Sequence, residues 1–505
     1  MGNAHTPAGA LGGKTPYASG MSRTARVVIL ACAGLMLAGC RGAQRRQEAA
    51  ARAEAEAPDG FRVLELGLCE DYPEETRTID EAMRDLLLAR DAGLTHLRVS
   101  IGWDGVEPAD DQFDWAFWDG FIPLAVEEYG ITLIPYVCYT PDWAADVVGG
   151  EDPAMTRPPR DMAEFEEFMR EAAGRYAMWI DSWEIWNEPD NPAYWTGTEE
   201  EFGALVGAGA RAVRAADPDA VVVLGGIAWD LSYLGALLDD AELVGAIDVV
   251  NLHNYFETWS PEPLEAITPY VLRAAELVRR YGDGERLWMA EVGYSTFRRG
   301  GYVSDQYVAA FPYEHTPEYQ AVHLLRTLTL LAASGEIDLV AWYEIADLPS
   351  GEQVIGDVNN RHLGVVDVDR NPKPALAALA LGQDLFAEQP VRCIDGEVLV
   401  ERALDSDAEV HAFEREDGSV LVLAWLRTAG PDVDGRPTIG AGADERVERV
   451  SVEIPRRLLG ATRLNPDGSG AGRHPRERRR GWTGVELTLT GGTIEILRLD
   501  APRRR

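Results

Sequence analysis

Lysine is almost missing from this 505-residue chain, and positive charge of any kind is scarce. Lys14 and Lys373 are the two lysines, so arginine supplies nearly all of the positive charge. Lysine and arginine together number 47, against 84 aspartates and glutamates, which leaves a net charge of −37. Nucleic-acid binding needs a basic face that meets phosphates. The charge balance therefore argues against a nucleic-acid partner, and a solvated acidic surface explains it most simply.

Cysteine is also scarce, and the chain has neither a CxxC pair nor a cluster with metal-ligand spacing. A glycine-rich phosphate-binding turn is missing as well, because residues 67–72 after the first strand-like segment do not form one. We therefore expect no metal and no cofactor. Two of the five cysteines lie in the N-terminal segment, and the other three are expected to be buried free thiols. The five are Cys32, Cys40, Cys69, Cys138 and Cys393.

The N-terminal segment has the features of a secretory signal. Residues 21–26 are basic, and residues 27–37 form an apolar run that is too short for a comfortable membrane span. The run ends in Leu-Ala-Gly-Cys at residues 37–40, which resembles the bacterial lipoprotein lipobox. We therefore expect cleavage before Cys40 and a lipid on its thiol, with residues 1–40 as upstream extension and signal peptide. An ordinary signal peptide or anchor helix is the alternative.

The residues that follow predict how the chain is attached. Residues 41–60 are rich in Ala, Glu, Arg and Gln without an apolar stripe, so we expect a flexible tether. Arg41 is not the acidic residue that often marks retention in the inner membrane of some bacteria. The expected location is therefore the bacterial cell envelope, with the outer membrane favoured over the inner.

A repeating strand-then-helix pattern fills residues 61–385 and predicts a (β/α)8 barrel of the α/β class. An open doubly wound sheet is the structural rival, and it would need the phosphate-binding turn that is absent. The predicted strands lie at 61–68, 95–101, 132–137, 182–189, 220–225, 247–252, 286–291 and 339–343. The predicted helices lie at 78–92, 115–129, 162–178, 199–216, 269–281, 317–334 and 374–385.

Residues 386–505 change to short alternating runs separated by turn residues, which predicts a smaller all-β accessory domain. A sandwich-like arrangement is preferred, with a β-barrel as the alternative. The Gly/Asp-rich residues 430–444 and the Arg-rich residues 473–480 are expected to form exposed loops.

Two glutamates lie where a barrel of parallel strands carries its chemistry. Glu188 follows the fourth predicted strand, Glu291 ends the seventh, and both ends face the C-terminal mouth of the barrel. Hydrolysis of a glycosidic bond needs two carboxyl groups that flank the sugar. One protonates the leaving oxygen, and the other attacks the anomeric carbon or activates water. This pair therefore predicts a glycoside hydrolase with a carbohydrate substrate.

Motifs along the whole predicted barrel resemble the clan A glycoside hydrolases. Trp-Asn-Glu-Pro at residues 186–189 is similar to their fourth-strand signature, and Ala-Glu-Val-Gly-Tyr-Ser at 290–295 resembles their nucleophile segment. The resemblance extends to the second, sixth and eighth strands of these enzymes, which match residues 98–115, His-Asn-Tyr at 253–255 and Trp342. Family 39 is the most similar family, because a small β-domain follows the barrel. Families 5 and 42 are its neighbours.

The resemblance implies a retaining mechanism on β-glycosidic bonds, with Glu188 as the acid/base and Glu291 as the nucleophile. Five more residues would bind or support the substrate and the two glutamates. Asn187 would bond the sugar 2-hydroxyl, Arg98 and Tyr255 would hold Glu291, and Trp342 would form the floor of the sugar site. His253 is either a sugar ligand or a core histidine.

Alternatives remain open within the sequence. Glu184 shares an alternation face with Glu188 but lies deeper, Glu344 could rival Glu291, and Glu107 is expected to support the loop after the second strand. A non-catalytic carbohydrate-binding lipoprotein, or a transglycosylase that uses the same covalent intermediate, would carry the same motifs. The sugar, the linkage, the choice between chain ends and interiors, and the oligomeric state are not encoded in these patterns.

Overall fold

Eight parallel strands close into a barrel in the order β1-β2-β3-β4-β5-β6-β7-β8, which confirms the predicted fold class. The computed structural model describes residues 60–72, 78–146, 153–260, 262–297, 315–351, 354, 358–428, 444–479 and 481–502. The barrel strands are β1 Glu65–Glu70, β2 His96–Gly102, β3 Thr132–Cys138, β4 Ser182–Ile185, β5 Val221–Ile227, β6 Val249–Asn254, β7 Arg286–Val292 and β8 Ile337–Tyr343.

Helices surround the barrel and shield the apolar outer faces of the strands. The shorter turns of helix include π-helical turns at Leu124–Glu128 and Gln383–Ala387 and 3-10 turns at Ala154–Thr156, Leu264–Ala266 and Val358–Arg361. The α-helices are α1 Ile79–Asp91, α2 Trp103–Val106, α3 Ala116–Pro123, α4 Met162–Tyr176, α5 Glu199–Ala216, α6 Leu231–Leu238, α7 Ala241–Val244, α8 Ile267–Tyr281, α9 Pro317–Ser334 and α10 Pro374–Gly382.

Local capping explains why helices α5 and α9 match their predicted bounds. The Thr198 side chain accepts from the backbone of Glu201, whose own side chain accepts from Thr198, so α5 begins with a capping box. Pro317 occupies the first turn of α9, and Gly335 ends that helix in the left-handed conformation at φ 67°. These signals are local, so the sequence alone could locate them.

The first strand and the link between β5 and β6 both differ from the sequence prediction. The first strand was predicted at 61–68, but β1 runs from Glu65 to Glu70. Arg62 instead forms an antiparallel bridge with Val391 in the C-terminal region, so the predicted strand began too early and ended two residues short. The link between β5 and β6 was predicted without a helix, yet it contains α6 and α7. Asp230 and Asp240 cap these two helices with their side chains.

The C-terminal region forms two antiparallel sheets that pack face to face, as the predicted sandwich requires. The four-stranded sheet has the order β10-β13-β17-β16, and the six-stranded sheet has the order β15-β14-β18-β12-β11-β9. The strands are β9 Val391–Cys393, β10 Leu399–Glu401, β11 Ala408–Arg415, β12 Val420–Leu426, β13 Val447–Ile454, β14 Gly460–Leu464, β15 Gly470–Arg473, β16 Glu477–Arg479, β17 Trp482–Thr490 and β18 Glu495–Asp500.

Strand β12 is buried on both faces, because it lies between the barrel layer and the second sheet. Its even-numbered residues belong to the core between the two C-terminal sheets, and Leu421, Leu423 and Trp425 belong to the core shared with the barrel. Strand β12 therefore reads as one continuous apolar run, where a half-exposed strand would alternate with polar residues. The six-stranded sheet is packed against the barrel, and the described residues from Gly60 onward lie in one compact unit.

Several sequence predictions fall outside the described residues or need correction. The signal peptide, Cys40, all of the tether except Gly60, and residues 430–443 lie outside them. The Arg-rich segment 473–480 was predicted as an exposed loop, but Arg473 ends β15 and Glu477–Arg479 form β16. Cys69, Cys138 and Cys393 are free as expected, although Cys393 is only partly buried. Within the described ranges, no helix is both long and apolar enough to cross a bilayer.

Candidate active site

The chain leaves regular strand geometry just before Glu188. Strand β4 ends at Ile185, and Trp186 and Glu188 both have positive φ values, 73° and 44°. This left-handed region is unfavourable for residues other than glycine, so tertiary contacts must hold it. The buried Trp186 ring packs edge-on against Trp195, with 5.0 Å between the ring centroids. With this bend, the Glu188 carboxylate comes into contact with strand β6.

Glu188 is 7% exposed, and two side chains contact its carboxyl group. Asn191 Nδ2 donates to Oε2 at 2.8 Å, and His253 Nδ1 lies 3.2 Å from Oε1. Burial raises the pKa of Glu188 to about 7, opposed by the Asn191 hydrogen bond and assisted by the charge of Asp190. A carboxyl group with this pKa keeps its proton near neutral pH, as a general acid must.

Glu291 reaches the barrel interior through a bulge in β7. The pairing of β6 with β7 passes from Asn251 opposite Trp288 to His253 opposite Glu291, so β7 carries one extra residue there. Strict alternation from the inward-facing Trp288 would send Glu291 toward the helix layer. A bulge redirects a side chain locally. The Glu291 carboxylate therefore lies inside the barrel mouth.

Three side chains surround the Glu291 carboxylate. Arg98 Nη1 lies 2.8 Å from Oε2, the Tyr255 hydroxyl donates to Oε1 at 2.7 Å, and His253 Nδ1 lies 3.6 Å from Oε2. Burial raises the pKa of Glu291, and His253 and Arg98 oppose that rise. Arg98 and Tyr255 thus contact Glu291 as the sequence predicts, and both contacts favour the ionised carboxylate.

Arg98 connects Glu291 to the fourth strand. Its Nε and Nη2 bond both oxygens of Glu184 at 2.7 and 2.9 Å, and Nη2 also donates to Asn187 Oδ1 at 2.9 Å. The guanidinium stacks over Tyr136, 3.9 Å from the ring centroid. Glu184 also accepts from the Gly226 backbone at 3.0 Å, so it is a buried structural group, as expected.

The hydrogen bonds of Asn251 determine the tautomer of His253. Asn251 Oδ1 accepts from the Ala290 backbone N–H at 2.8 Å, which makes its Nδ2 the donor. That Nδ2 donates to Glu184 and lies 3.2 Å from His253 Nε2, which must then accept. Burial lowers the pKa of His253, so the ring is neutral near pH 7 and carries its proton on Nδ1. The Nδ1–H therefore points at the two glutamates.

The two glutamates and His253 lie close together. One carboxylate oxygen from Glu188, one from Glu291 and a ring nitrogen of His253 are all within 4.8 Å of one another. This spacing would also suit a small cation. The neighbouring guanidinium of Arg98 and the proton on His253 Nδ1 both oppose one, so the geometry favours proton transfer over metal binding.

A third carboxylate, Asp71, lies at the same mouth and was missed from the sequence. Tyr136 OH donates to its Oδ1 at 2.5 Å, and Tyr343 OH donates to its Oδ2 at 3.1 Å. The charge of Asp71 raises the pKa of both Glu188 and Glu291. Asp71 directly follows β1, so a first-strand prediction extended to Glu70 would have placed an acidic residue at this strand end.

Trp342 does not line the sugar site, which corrects the sequence prediction. Its ring is 1% exposed and packs against His323 of helix α9, with 6.3 Å between the ring centroids. Neighbouring residues of a strand point to opposite faces. Tyr343 therefore takes the inward position, where it contacts Asp71 and lies edge-on to Tyr255 with 6.3 Å between the ring centroids. Tyr343 is the eighth-strand aromatic residue at the mouth.

Glu107 and Glu344, the other glutamates considered from the sequence, have different neighbours from Glu188 and Glu291. Glu107 accepts from the Trp103 indole at 2.8 Å and from the Asp111 backbone at 3.0 Å, so it supports the loop after β2, as predicted. Glu344 is fully buried, and its charge opposes the burial that lowers the pKa of Lys373. Glu188 and Glu291, by contrast, both lie beside His253 Nδ1, at 3.2 and 3.6 Å.

Comparison with known proteins returns similar folds at low sequence identity. No protein-family model matches the chain, and no curated protein matches it in sequence. A family 39 glycoside hydrolase from Bacteroides cellulosilyticus WH2 superposes with a TM-score of 0.61 at 19% identity, over 87% of this chain and 81% of that one. A monomeric beta-xylosidase from Caulobacter crescentus CB15 gives 0.61 at 16% identity, over 89% and 98%.

A more distant match has the same arrangement. The family 30 subfamily 8 xylanase Xyn30A from Clostridium acetobutylicum gives a TM-score of 0.55 at 13% identity, over 88% of this chain and 97% of that one. The likeness extends over nearly the whole length of these proteins, so it includes the C-terminal sheets as well as the barrel. At these identities the comparison establishes a fold that glycoside hydrolases of families 39 and 30 share.

Proposed function

We propose that this protein is a retaining glycoside hydrolase that cleaves β-glycosidic bonds of an oligo- or polysaccharide. The spacing of Glu188 and Glu291 is the observation that carries the proposal, because their nearest oxygens lie within 4.8 Å. Retaining enzymes hold their two carboxyl groups about 5–5.5 Å apart, whereas inverting enzymes separate them by about 6.5–9.5 Å to admit a water. The spacing therefore favours direct attack by one carboxylate.

The surroundings of the two carboxyl groups support different roles for them. Glu188, with a pKa of about 7, is the acid that protonates the leaving oxygen. Glu291 accepts from Arg98 and Tyr255, both of which stabilise a carboxylate, so it is the nucleophile. General acid catalysis by a positioned side chain contributes roughly 10²–10⁴-fold to the rate.

The reaction follows in two displacements. In the first, a Glu291 oxygen bonds to the anomeric carbon while the glycosidic bond breaks and the departing oxygen takes the Glu188 proton. In the second, Glu188 removes a proton from water, whose oxygen bonds to the anomeric carbon as the ester to Glu291 breaks. Formation of the ester removes the negative charge of Glu291, which lowers the pKa of Glu188 and suits it to act as a base.

The neighbouring polar groups would orient the sugar and the two glutamates. Asn187 Oδ1 is occupied by Arg98, so its Nδ2 is the group available to a sugar 2-hydroxyl. His253 would direct its Nδ1–H to whichever glutamate is ionised, because it lies 3.2 Å from Glu188 and 3.6 Å from Glu291. Tyr255 would move its hydrogen bond away from the Glu291 oxygen that becomes esterified.

The stereochemistry of the first product tests the proposal. The full chain is incubated with a panel of aryl β-glycosides, and proton NMR follows the anomeric signals before mutarotation. The proposal expects the β-anomer to form first. Initial formation of the α-anomer would contradict the retaining mechanism, and the absence of sugar release from every glycoside and polysaccharide tried would favour a binding protein.

We further propose that the enzyme is held at the cell envelope by lipid on Cys40, with the outer membrane favoured. The support is the basic, apolar and Leu-Ala-Gly-Cys succession at residues 21–40, with Arg41 after it. Cells that express the chain and are fed labelled palmitate should incorporate label into the wild type but not into Cys40→Ala. Equal labelling of the two would contradict the proposal, and fractionation would identify the membrane.

A further inference from the structure

Asp71 is fixed in position by two tyrosines from different strands. The hydroxyl of Tyr136 on β3 donates to Oδ1, and the hydroxyl of Tyr343 on β8 donates to Oδ2. The Tyr136 ring is itself held under the Arg98 guanidinium. Each tyrosine uses one acceptor position, whereas an ionised carboxylate offers about four. Asp71 therefore keeps acceptor positions on both oxygens after these two bonds are made.

Those acceptor positions belong to the active-site mouth. Asp71 is partly exposed, and its partner Tyr343 lies edge-on to Tyr255, whose hydroxyl donates to Glu291. A sugar placed between Glu188 and Glu291 would thus meet a rigid pair of carboxylate oxygens. Neighbouring hydroxyl groups on a sugar ring are suitable donors for such a pair.

Positive charge is scarce among the described residues of this mouth. Of the side chains there that contact Glu188, Glu291 or Asp71, Arg98 and His253 are the ones that can carry it. Arg98 is already bonded to Glu184, Asn187 and Glu291, and His253 is neutral near pH 7. Among the described residues around these carboxylates, neither group is free to pair with an anionic sugar. A sugar carboxylate there would face like charges and lose its hydration.

We propose that Asp71 binds the ring hydroxyls of the glycosyl unit that is transferred to Glu291, so that the site accepts a neutral sugar and rejects a hexuronic acid. The inference rests on the proposed function, because that function is what places the sugar between the two glutamates. Asp71 is then a specificity-determining residue that touches the substrate without exchanging a proton with the reacting atoms.

Binding of sulfur-linked substrate analogues tests the assignment without turnover. The probes are phenyl 1-thio-β-D-xyloside, -glucoside, -galactoside and -glucuronide, and calorimetry on the full chain measures their dissociation constants. The variants are Asp71→Ala and the nearly isosteric Asp71→Asn, with thermal unfolding as a check on folding. Asp338→Asn is the matched control, because Asp338 lies near the start of β8, at the opposite end of the barrel.

The wild type is expected to bind at least one neutral thioglycoside tenfold or more tightly than the glucuronide. Asp71→Ala should weaken that neutral probe at least tenfold, and Asp71→Asn should narrow the neutral-to-glucuronide ratio because it removes the charge. Asp338→Asn should bind like the wild type. Unchanged binding of the neutral probe by both Asp71 variants, preference for the glucuronide, or no binding of any probe would overturn the inference.

The inference and the proposed function can fail separately. If binding depends on Asp71 but the protein releases no sugar from the matching O-aryl glycosides, the hydrolase proposal is contradicted and the Asp71 subsite is supported. If the protein hydrolyses neutral O-aryl glycosides but the Asp71 variants bind the thioglycosides like the wild type, the hydrolase proposal is supported and the Asp71 subsite is contradicted.

Discussion

Asn191 and His253 each bring a hydrogen-bond donor to Glu188, and burial still raises its pKa to about 7. Donors favour the charged carboxylate, so in this site desolvation outweighs them. Glu291 is partly buried, and Arg98 supplies a full positive charge 2.8 Å from its carboxylate. Different neighbours therefore favour the protonated form of Glu188 and the ionised form of Glu291, although both are side chains of the same type.

Glu188→Gln tests the acid role through the leaving group. A glutamine cannot donate the proton, so aryl glycosides with poor leaving groups should lose about 10²–10⁴-fold in kcat/KM. Substrates with good leaving groups need little acid assistance and should lose far less. Steady-state kinetics across a series of substituted phenyl glycosides measures the difference. Equal losses across the series would argue that Glu188 is not the acid.

The pH profile of kcat/KM depends on the same carboxyl group. Because the pKa of Glu188 is raised to about 7, the proton is present below that pH and lost above it, so activity on poor leaving groups should fall on the basic side near pH 7. The pKa of Glu291 is also raised, so the acidic fall should begin above the ordinary glutamate value of 4.5. A basic limb that persists unchanged in Glu188→Gln would contradict the assignment.

The roles of individual residues could be predicted from the sequence where a residue type suits one role. A buried arginine and a strand-end tyrosine suit the support of a carboxylate, and Arg98 and Tyr255 do contact Glu291. The prediction for Trp342 was wrong because consecutive residues of a strand point to opposite faces of the sheet. Tyr343 points inward in its place. Asp71 was missed because the predicted first strand ended at residue 68, two residues before β1 ends.

At the scale of elements, the bulge in β7 is the feature that the sequence could not reveal. The hydrophobic pattern predicts the seventh strand and its terminal glutamate. Regular alternation along that strand, however, does not place Glu291 inside the barrel. Bulges depend on the pairing between strands, which is a tertiary property. Long helices with an apolar face were predictable, whereas α6 and α7 are capped but contain only eight and four residues.

The loop after β6 is supported by the C-terminal sheet. Trp425 of β12 donates through its indole to Glu265 at 2.8 Å, and Arg326 of α9 donates to the Thr493 carbonyl at 2.7 Å. Glu257, two residues after Tyr255, accepts from the Tyr319 hydroxyl of α9 at 3.1 Å. A chain of contacts thus runs from the C-terminal sheet through α9 to the loop that follows the active-site tyrosine.

Trp425→Phe should weaken this connection and lower the thermal midpoint. The smaller phenyl ring leaves a gap at a fully buried site, and Glu265 also loses its indole donor, which alone costs roughly 1–2 kcal/mol. Differential scanning calorimetry should show a decrease of about 1–3 °C. Trp482→Phe is the control, because Trp482 lies on β17 and is 38% exposed. Equal shifts for both variants would indicate that the contact contributes nothing specific.

For the whole molecule, the barrel and the C-terminal sheets are expected to unfold together. Strand β12 contributes one face to the sandwich core and the other to the barrel core, so separation would expose Leu421, Leu423 and Trp425. Calorimetry of the full chain should show one main transition, and a chain that stops after Ala387 should be insoluble. Two resolved transitions, or a soluble and active truncated barrel, would contradict this expectation.

Glu291 is expected to attack the sugar, while Glu188 first donates the proton and then removes one from water. The most direct measurement is trapping with a 2-deoxy-2-fluoro β-glycoside that carries a dinitrophenyl leaving group. The fluorine slows both steps, and the good leaving group preserves the first, so the ester accumulates. Mass spectrometry of the intact chain should show one added glycosyl unit, and peptide mapping should place it on Glu291. A label on Glu344, on Glu188 or on no residue would contradict the account.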